Sequence, residues 1–328
     1  DTIRIVTRKS PLALAQCNKV IDMLRDKTSD YKFKLIPTTT SGDTVSVDNF
    51  KSNGGKGLFI KELEHSLLNN KADIAVHSMK DVPAELDSRF DIMPVLEREC
   101  PQDIMISRKY HNLHNLPKNA KVGTSSPRRM ALLRAISPDF EIVEIRGNIG
   151  TRLKKLEEEK CDALILAAAG LHRLNLSEKI TEYIPQDSFV PSAGQGVLCI
   201  EFLKKNKGVK KIVSNLANHE LNVCVTQERE FVRTISGDCN SPIGVISGVD
   251  KDKFTLTGYV SDIKGCSFIK SKYECKIKDS MKAGRIFGKI FIQQGAKKLL
   301  GTHDFSTFRS SSCNAKSPIR TIKSIKIK

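Results

Sequence analysis

The side chains of this sequence best suited to chemistry are arginines placed where strands give way to helices. Arg8 follows the strand-like run Ile3-Arg4-Ile5-Val6, Arg128 and Arg129 follow Lys121-Val122-Gly123, and Arg146 and Arg152 follow the run 142–145. A guanidinium grips carboxylates and phosphates bidentately. A helix N-terminus beside it adds backbone N–H donors and a favourable dipole. One such loop is ordinary surface charge, but three in equivalent positions point to a ligand with several anionic groups. The polar run His77-Ser78-Met79-Lys80-Asp81-Val82-Pro83 follows the apolar strand 73–76 directly. It therefore stands at a strand's carboxyl end, the edge where open α/β sheets bind ligands. Asp81 in that place can exchange a proton or hold a developing cation, with Lys80 balancing substrate charge; a surface salt bridge accounts for the pair equally well. His77 reads as a catalytic base or, more simply, as a hydrogen-bonded structural histidine. Cys239 lies in the loop Ser236-Gly237-Asp238-Cys239-Asn240-Ser241-Pro242, where a thiol is accessible and its reactivity follows its thiolate fraction. On local sequence alone it reads equally as a small loop residue.

The elements that must position these groups are legible from periodicity and caps. Pro11 fits the first turn of a helix carrying Leu12, Ala15, Val20 and Leu24, and Ser126 with Pro127 forms an N-cap and N1 pair. Residues 33–37 read as a second strand. The aperiodic stretch 47–56 reads as a loop, and a helix with Leu58, Phe59, Leu63, Leu67 and Leu68 follows it. Lys56 in Gly54-Gly55-Lys56-Gly57 is not a Walker lysine, because Leu58 and Phe59 follow where Ser or Thr is needed. The unit changes between residues 97 and 103, and the same strand, polar loop, helix grammar then repeats. Residues 162–166 read as a strand, and 195–200 as a loop and strand returning to the first sheet. A helix with Leu221, Val225, Phe231 and Val232 leads to the Cys239 loop. The runs 254–260 and 286–292 read as short β segments and Ala296 as part of a helix, giving a small α+β domain with a basic, Ser-rich tail.

Composition narrows the class. A chain of 328 residues exceeds a single typical core of about 100–150 residues, so several domains are expected. With 39% hydrophobic and 28% charged residues it reads as globular, and no run approaches the roughly 20 apolar residues of a membrane-spanning helix. The net charge of +17 would suggest nucleic acid, but residues 251–328 hold 18 Lys and Arg against 5 Asp and Glu. The excess is thus a lysine-rich C-terminal face, without zinc-finger spacing or an aromatic stripe for base stacking. Nine scattered cysteines without a CxxC pair suit free thiols in a reducing compartment. No metal site is expected. No signal-peptide pattern stands at the start, and the expected location is cytoplasmic or organellar, plastid included, after removal of a transit segment.

Taken together, Arg8-Lys9-Ser10-Pro11-Leu12-Ala13, Gly54-Gly55-Lys56-Gly57-Leu58-Phe59, the 73–83 run, Gly123-Thr124-Ser125-Ser126-Pro127-Arg128-Arg129, Arg146-Gly147-Asn148, Pro191-Ser192-Ala193-Gly194-Gln195-Gly196 and Cys239 in its loop closely resemble the porphobilinogen deaminase (hydroxymethylbilane synthase) family. The resemblance is nearly continuous over residues 1–245. It implies an α/β fold with two periplasmic-binding-protein-like domains around a cleft (1–98 with 195–216, and 99–194) plus a small α+β C-terminal cofactor-attachment domain (217–328). It implies a transferase that condenses four porphobilinogen molecules head to tail on a dipyrromethane primer, joined to Cys239 by a thioether. One ammonia leaves per unit, and water releases the linear hydroxymethylbilane. Among site residues it implies Asp81, Lys80, Arg8 and Gln195 in catalysis. Cys239, Lys80, Asp81, Thr124, Ser125, Ser126, Arg128, Arg129, Arg146 and Gly147 are implied to hold the cofactor, and Arg8, Ser10, Lys56, Phe59, Arg146, Arg152 and Arg173 the substrate. Each pyrrole bears an acetate and a propionate, which gives the arginines their purpose. A monomer is expected, with porphobilinogen and the growing polypyrrole as partners and neither nucleic acid nor membrane. Extra sequence is expected around 265–284. The rival reading is a noncatalytic anion- or solute-binding protein.

Overall fold

The computed structural model describes residues 1–28, 30–40, 60–238 and 240–301, together with the backbone of 320–321 and 325–326. Strand β1 (Thr2–Arg8) runs into helix α1 (Pro11–Lys27) through a two-residue link. Ser10 Oγ accepts from Ala13 N at 3.3 Å and Pro11 occupies the first turn, satisfying one orphan donor of the helix and spending none on proline. The sequence then gives β2 (Lys32–Thr38), α2 (Lys61–Leu68), β3 (Ile74–Ser78), a 3₁₀ turn (Met79–Asp81) and β4 (Phe90–Val95). Next come β5 (Asp103–Ser107), β6 (Lys121–Gly123), α3 (Pro127–Ile136), β7 (Glu141–Val143), α4 (Ile149–Glu157), β8 (Ala163–Ala167), α5 (Ala168–Arg173) and β9 (Glu182–Tyr183).

Two five-stranded sheets share one plan. The first has the order β2-β1-β3-β10-β4, with β10 (Leu198–Leu203) antiparallel to both neighbours; the second has the order β7-β6-β8-β5-β9, with β5 antiparallel to β8 and β9. The remaining pairings, β1 with β2 and β3, and β6 with β7 and β8, are parallel. In each sheet the antiparallel strand arrives by a connection from the other sheet, so the chain crosses between them twice. The start of α3 repeats that of α1: Ser126 Oγ accepts from Arg129 N at 3.5 Å and Pro127 stands at N1. Asn148 caps α4 through Thr151 N at 2.9 Å. These caps put three helix N-termini immediately after β1, β6 and β7.

Helices α6 (Lys207–Ser214) and α7 (His219–Thr234) lead into an antiparallel sheet of β11 (Ile243–Asp250), β12 (Lys253–Ser261) and β13 (Phe268–Lys276). The two-residue strands β14 (Arg320–Thr321) and β15 (Ile325–Lys326) pair parallel with β13. The stretch 265–284 is the β12–β13 turn, β13 itself, a 3₁₀ segment (Ile277–Lys282) and the first two residues of the helix that follows. Residues 286–292, expected as β, belong to helix α8 (Ala283–Gln293). Its buried residues Ala283, Gly284, Phe287, Gly288 and Phe291 recur at three- and four-residue intervals, a helical period that outweighs the β-branched content of the run. Phe287 and Phe291 pack against Phe231 of α7, the latter edge-on at 5.0 Å. Gly284 admits this approach, since a Cβ there would meet the Gln227 carbonyl oxygen at 2.1 Å. Helix α9 (Ala296–Leu300) confirms the helix expected at Ala296.

Among the described cysteines, Cys17, Cys100, Cys161, Cys199, Cys224 and Cys275 are free thiols. Among the described residues no helix is long and apolar enough to cross a membrane.

Candidate active site

The strand ends and capped helix starts converge. At the carboxyl ends of β1 and β3 a pocket is lined by Thr7, Arg8, Ser10, Gln16, Ser78 and Asp81, among others. Gln16, buried on α1, donates from Nε2 to Ser78 Oγ at 3.0 Å. Asp81 is exposed at the end of its 3₁₀ turn and Lys80 is half-buried beside it. The turn is held by Met79 N donating to Val197 O at 2.9 Å and Val82 N donating to Met79 O at 3.1 Å. His77 is buried, its Nε2 2.9 Å from Glu201 Oε2 on β10. Of its two readings, the geometry is that of a structural histidine tying β3 to β10.

A polar relay then runs from the first sheet to the second. Lys80 Nζ donates to Gln195 Oε1 at 3.4 Å, and the fully buried Gln195 donates from Nε2 to Asp103 Oδ1 at 3.0 Å and to Pro101 O at 2.6 Å. Asp103, also fully buried, sits 2.7 Å from Nη1 of Arg128 and 2.7 Å from Nη2 of Arg129. Arg128 also donates to Ser192 Oγ at 3.0 Å and Val190 O at 2.8 Å, and Arg129 to Ile165 O at 3.1 Å. Both arginines are therefore buried and engaged by protein groups. Burial opposes ionisation of Asp103, but Arg128 and Arg129 outweigh it and hold the carboxyl below the usual range. The trio carries one net positive charge buried behind Gln195 and Lys80.

The other predicted arginines are placed differently. Arg146 pairs with Glu144 at 2.6 Å, Arg152 donates from Nε to Gly147 O at 2.7 Å, and Arg173 donates from Nη2 to Gly196 O at 2.6 Å. Arg173 thus grips the chain crossing between the sheets. Gly196 itself requires glycine, with φ +84° and a Cβ that would lie 2.1 Å from the Glu99 carbonyl oxygen. Thr124 is buried, its Oγ1 accepting from Ser126 N at 3.2 Å, and Ser125 is half-buried. Cys239, Lys56 and Phe59 lie outside the described residues, as do the 47–56 loop and most of the basic tail.

The electrostatics are those of crowded cations. Burial and then the neighbouring Arg129 bring Lys80 down to about 8, with Asp81 and Asp103 opposing the shift. Burial and then Arg129 and Arg146 bring Arg152 down to about 10, again against Asp81. Like charges forced together in a partly dry site disfavour their own ionisation. Carboxylates entering the cleft would relieve that strain, so the donor set fits a polycarboxylate ligand such as a pyrrole bearing acetate and propionate side chains. Among the described residues, no group of three or more His, Cys, Asp and Glu is placed to hold a metal ion.

Sequence reasoning missed Asp103 and Gln16. Asp103 was visible only as a residue at the change of unit, and Gln16 as one polar position in an amphipathic helix. Neither lies near its partners in sequence.

Two α/β sheets whose strand ends and helix N-termini meet around an exposed carboxylate and a surplus of cations define an enzyme-like site for a polyanionic substrate. Two family models match the chain: "Porphobilinogen deaminase, dipyromethane cofactor binding domain" over residues 3–211 and "Porphobilinogen deaminase, C-terminal domain" over 222–293. The chain belongs to the porphobilinogen deaminase family. A porphobilinogen deaminase of Alkaliphilus metalliredigens (strain QYMF) is 40% identical over 301 residues, 92% of this chain and 95% of that one. One from Legionella pneumophila (strain Paris) is also 40% identical over 301 residues, covering 92% and 97%. A tRNA pseudouridine synthase model matches the short C-terminal stretch 296–328, most of which lies outside the described residues. Among solved structures, the methionine binding protein MetQ aligns with a TM-score of 0.41 and 12% identity, covering 70% of this chain and 90% of that one. A likeness that low says nothing of the ligand. The activity is that of the family, the polymerisation of porphobilinogen by an enzyme carrying a dipyrromethane cofactor.

Proposed function

We propose that chain growth starts from a cofactor held by a thioether to Cys239 and is driven at Asp81, within a cleft whose cations bind the acetate and propionate groups of every ring. The observation that carries this reading is an exposed Asp81 facing Lys80 and Arg152, two cations that are themselves crowded by Arg129 and, for Arg152, Arg146. When bound, the cofactor supplies the primer ring to which substrate is added. Arg8, Ser10, Lys56, Phe59, Arg146, Arg152 and Arg173 serve the incoming porphobilinogen in this reading. Thr124, Ser125, Ser126, Gly147 and the Arg128–Arg129 pair serve the cofactor side.

Asp81 places a carboxylate beside the pyrrole N–H, where positive charge develops as ammonia departs; an anion held there lowers that barrier without reorganising. Lys80 balances substrate carboxylates and is oriented by Gln195, whose amide is itself fixed by Asp103. Arg128 and Arg129, buried and paired with Asp103, contribute field and shape from behind the surface. Water is the co-substrate that releases the linear product. The working unit is a monomer divided at 1–98 with 195–216, 99–194 and 217–328, acting on porphobilinogen and the growing polypyrrole, with no nucleic-acid or membrane partner.

Intact-protein mass tests the anchor. An adduct of two linked pyrroles, absent from Cys239→Ser, is the expected result; an unmodified, active protein would overturn it. Asp81→Asn is expected to keep the adduct and lose most turnover. Near-normal turnover in that variant, correctly folded, removes Asp81 from the chemistry.

A further inference from the structure

Helix α7 does more than fill the core of the C-terminal sheet. Its Arg229 reaches 146 to 147 residues back along the chain and donates to two successive carbonyls just beyond Asp81: Nη1 to Val82 O at 3.1 Å and Nη2 to Pro83 O at 2.7 Å. Nη2 is also 3.3 Å from Ala84 O, and Nη1 is 3.7 Å from Met79 Sδ. One half-buried guanidinium thus satisfies successive carbonyls of the segment that leaves the 3₁₀ turn, its planar fork spanning them as a compact ammonium does less well. Its neighbour Glu228, fully buried, accepts Arg98 bidentately at 2.8 and 2.7 Å, and accepts Gly194 N at 2.7 Å and Ser247 N at 2.9 Å. The same turn of α7 therefore holds both connections between the sheets and the exit of the Lys80–Asp81 turn. The helix ends at Thr234, a few residues before the loop of Cys239.

We infer that Arg229 is a positioning residue for the reaction: through the carbonyls of Val82 and Pro83 it fixes the Lys80–Asp81 turn relative to helix α7 and the C-terminal sheet. This rests on the reading of Asp81 and Cys239 given above. A positional error of about 1 Å at a reacting group can cost on the order of 100-fold in rate, so a loosened turn acts chiefly on kcat, while the arginines that bind carboxylates, and most of KM with them, stay in place.

The test is steady-state kinetics with mass analysis of the holoenzyme. Arg229→Met keeps the apolar stem and removes the donors. Its expected behaviour is retention of the adduct, a fall in kcat of about 10- to 100-fold and a KM within about threefold of the parent. Arg229→Lys, with a single-point donor and a lesser risk of misfolding, is expected to fall between the two. In an Asp81→Asn background Arg229→Met is expected to cause no further loss, because residues acting through one group are non-additive. Parent-like kcat in either variant, a loss confined to KM, or a full additive loss in the double variant overturns the proposal. Failure of the Asp81 reading is distinguishable, because it shows as turnover retained by Asp81→Asn alone.

Discussion

Replacing Asp103 by Asn tests the relay at its centre. The carboxylate is fully buried and ion-pairs with Arg128 and Arg129, each at 2.7 Å, while accepting from Gln195 at 3.0 Å. An Asn keeps the shape and one acceptor oxygen but removes the charge, and turns an amide N–H₂ toward a guanidinium. Leaving buried charge uncompensated costs about 3–5 kcal/mol. At an unfolding entropy of about 2.1 cal/mol/K per residue, a chain of 328 residues shifts by about 1.5 °C per kcal/mol, so the melting temperature should fall by roughly 4–7 °C near neutral pH. The pH dependence has a definite sign. The folded-state pKa of Asp103 lies below its unfolded value. Its stabilisation is therefore present above the unfolded pKa of about 4 and is lost as pH falls through the folded one. The parent protein should lose ground to Asp103→Asn on acidification below about pH 4, the gap between the two melting curves narrowing as the parent carboxyl protonates. A second consequence falls on Lys80, whose ionisation Asp103 supports. Without that charge the alkaline limb of the activity profile should move to lower pH. Thermal unfolding followed by circular dichroism from pH 2.5 to 8, with kcat/KM measured between pH 6.5 and 9.5, checks both. A melting temperature within about 2 °C of the parent at pH 7, or an alkaline limb that does not move, would refute the reasoning.

Three further outcomes follow from the same geometry. Because crowding depresses Lys80 to about 8, binding of a dicarboxylate pyrrole analogue should raise it again and take up protons at pH 8–9; calorimetry in buffers of differing ionisation enthalpy detects this, and a buffer-independent heat counts against it. Gly196→Ala should destabilise the protein by well over the ~1 kcal/mol of an ordinary Gly to Ala change, since φ is +84° and Glu99 O lies in the way; chemical denaturation measures it. Ser126→Ala removes the cap of α3 and should cost about 1 kcal/mol, with a larger effect on cofactor retention than on melting if that helix start faces the ligand.

Much of the scaffold was readable because its signals are local. Ser10-Pro11 and Ser126-Pro127 announce helix starts within two residues, and the apolar run before His77 announces a strand without reference to anything distant. The return of the chain after Gln195 to the first sheet was readable from an apolar run following a glycine-flanked loop. The parts that were not readable depend on partners far apart in sequence. Nothing near Asp103 shows that Arg128, Arg129 and Gln195 close on it, so the two arginines look like open forks for a ligand when they are buried and engaged. Arg229 stands in Gln227-Glu228-Arg229-Glu230, a string that reads as a solvated helix face, and only the fold brings it onto Val82 and Pro83. The 286–292 run failed for a different reason, its isoleucines suggesting a strand where glycines at 284 and 288 mark a close helix crossing.

The exchange of strands between the two sheets also sets an order of assembly on the ribosome. Strand β4 finds its sheet partner only in β10, which is made after every strand of the second sheet has emerged. The second sheet lacks that dependence, since all its strands fall between residues 103 and 183. The part made first is consequently the part completed later: β4 and the neighbouring edge of β3 must wait, unpaired, while a whole second unit forms. A truncated chain ending before residue 198 would carry an intact second sheet beside a first one lacking the strand that joins β3 to β4, and with it the floor beneath His77 and the turn that bears Asp81.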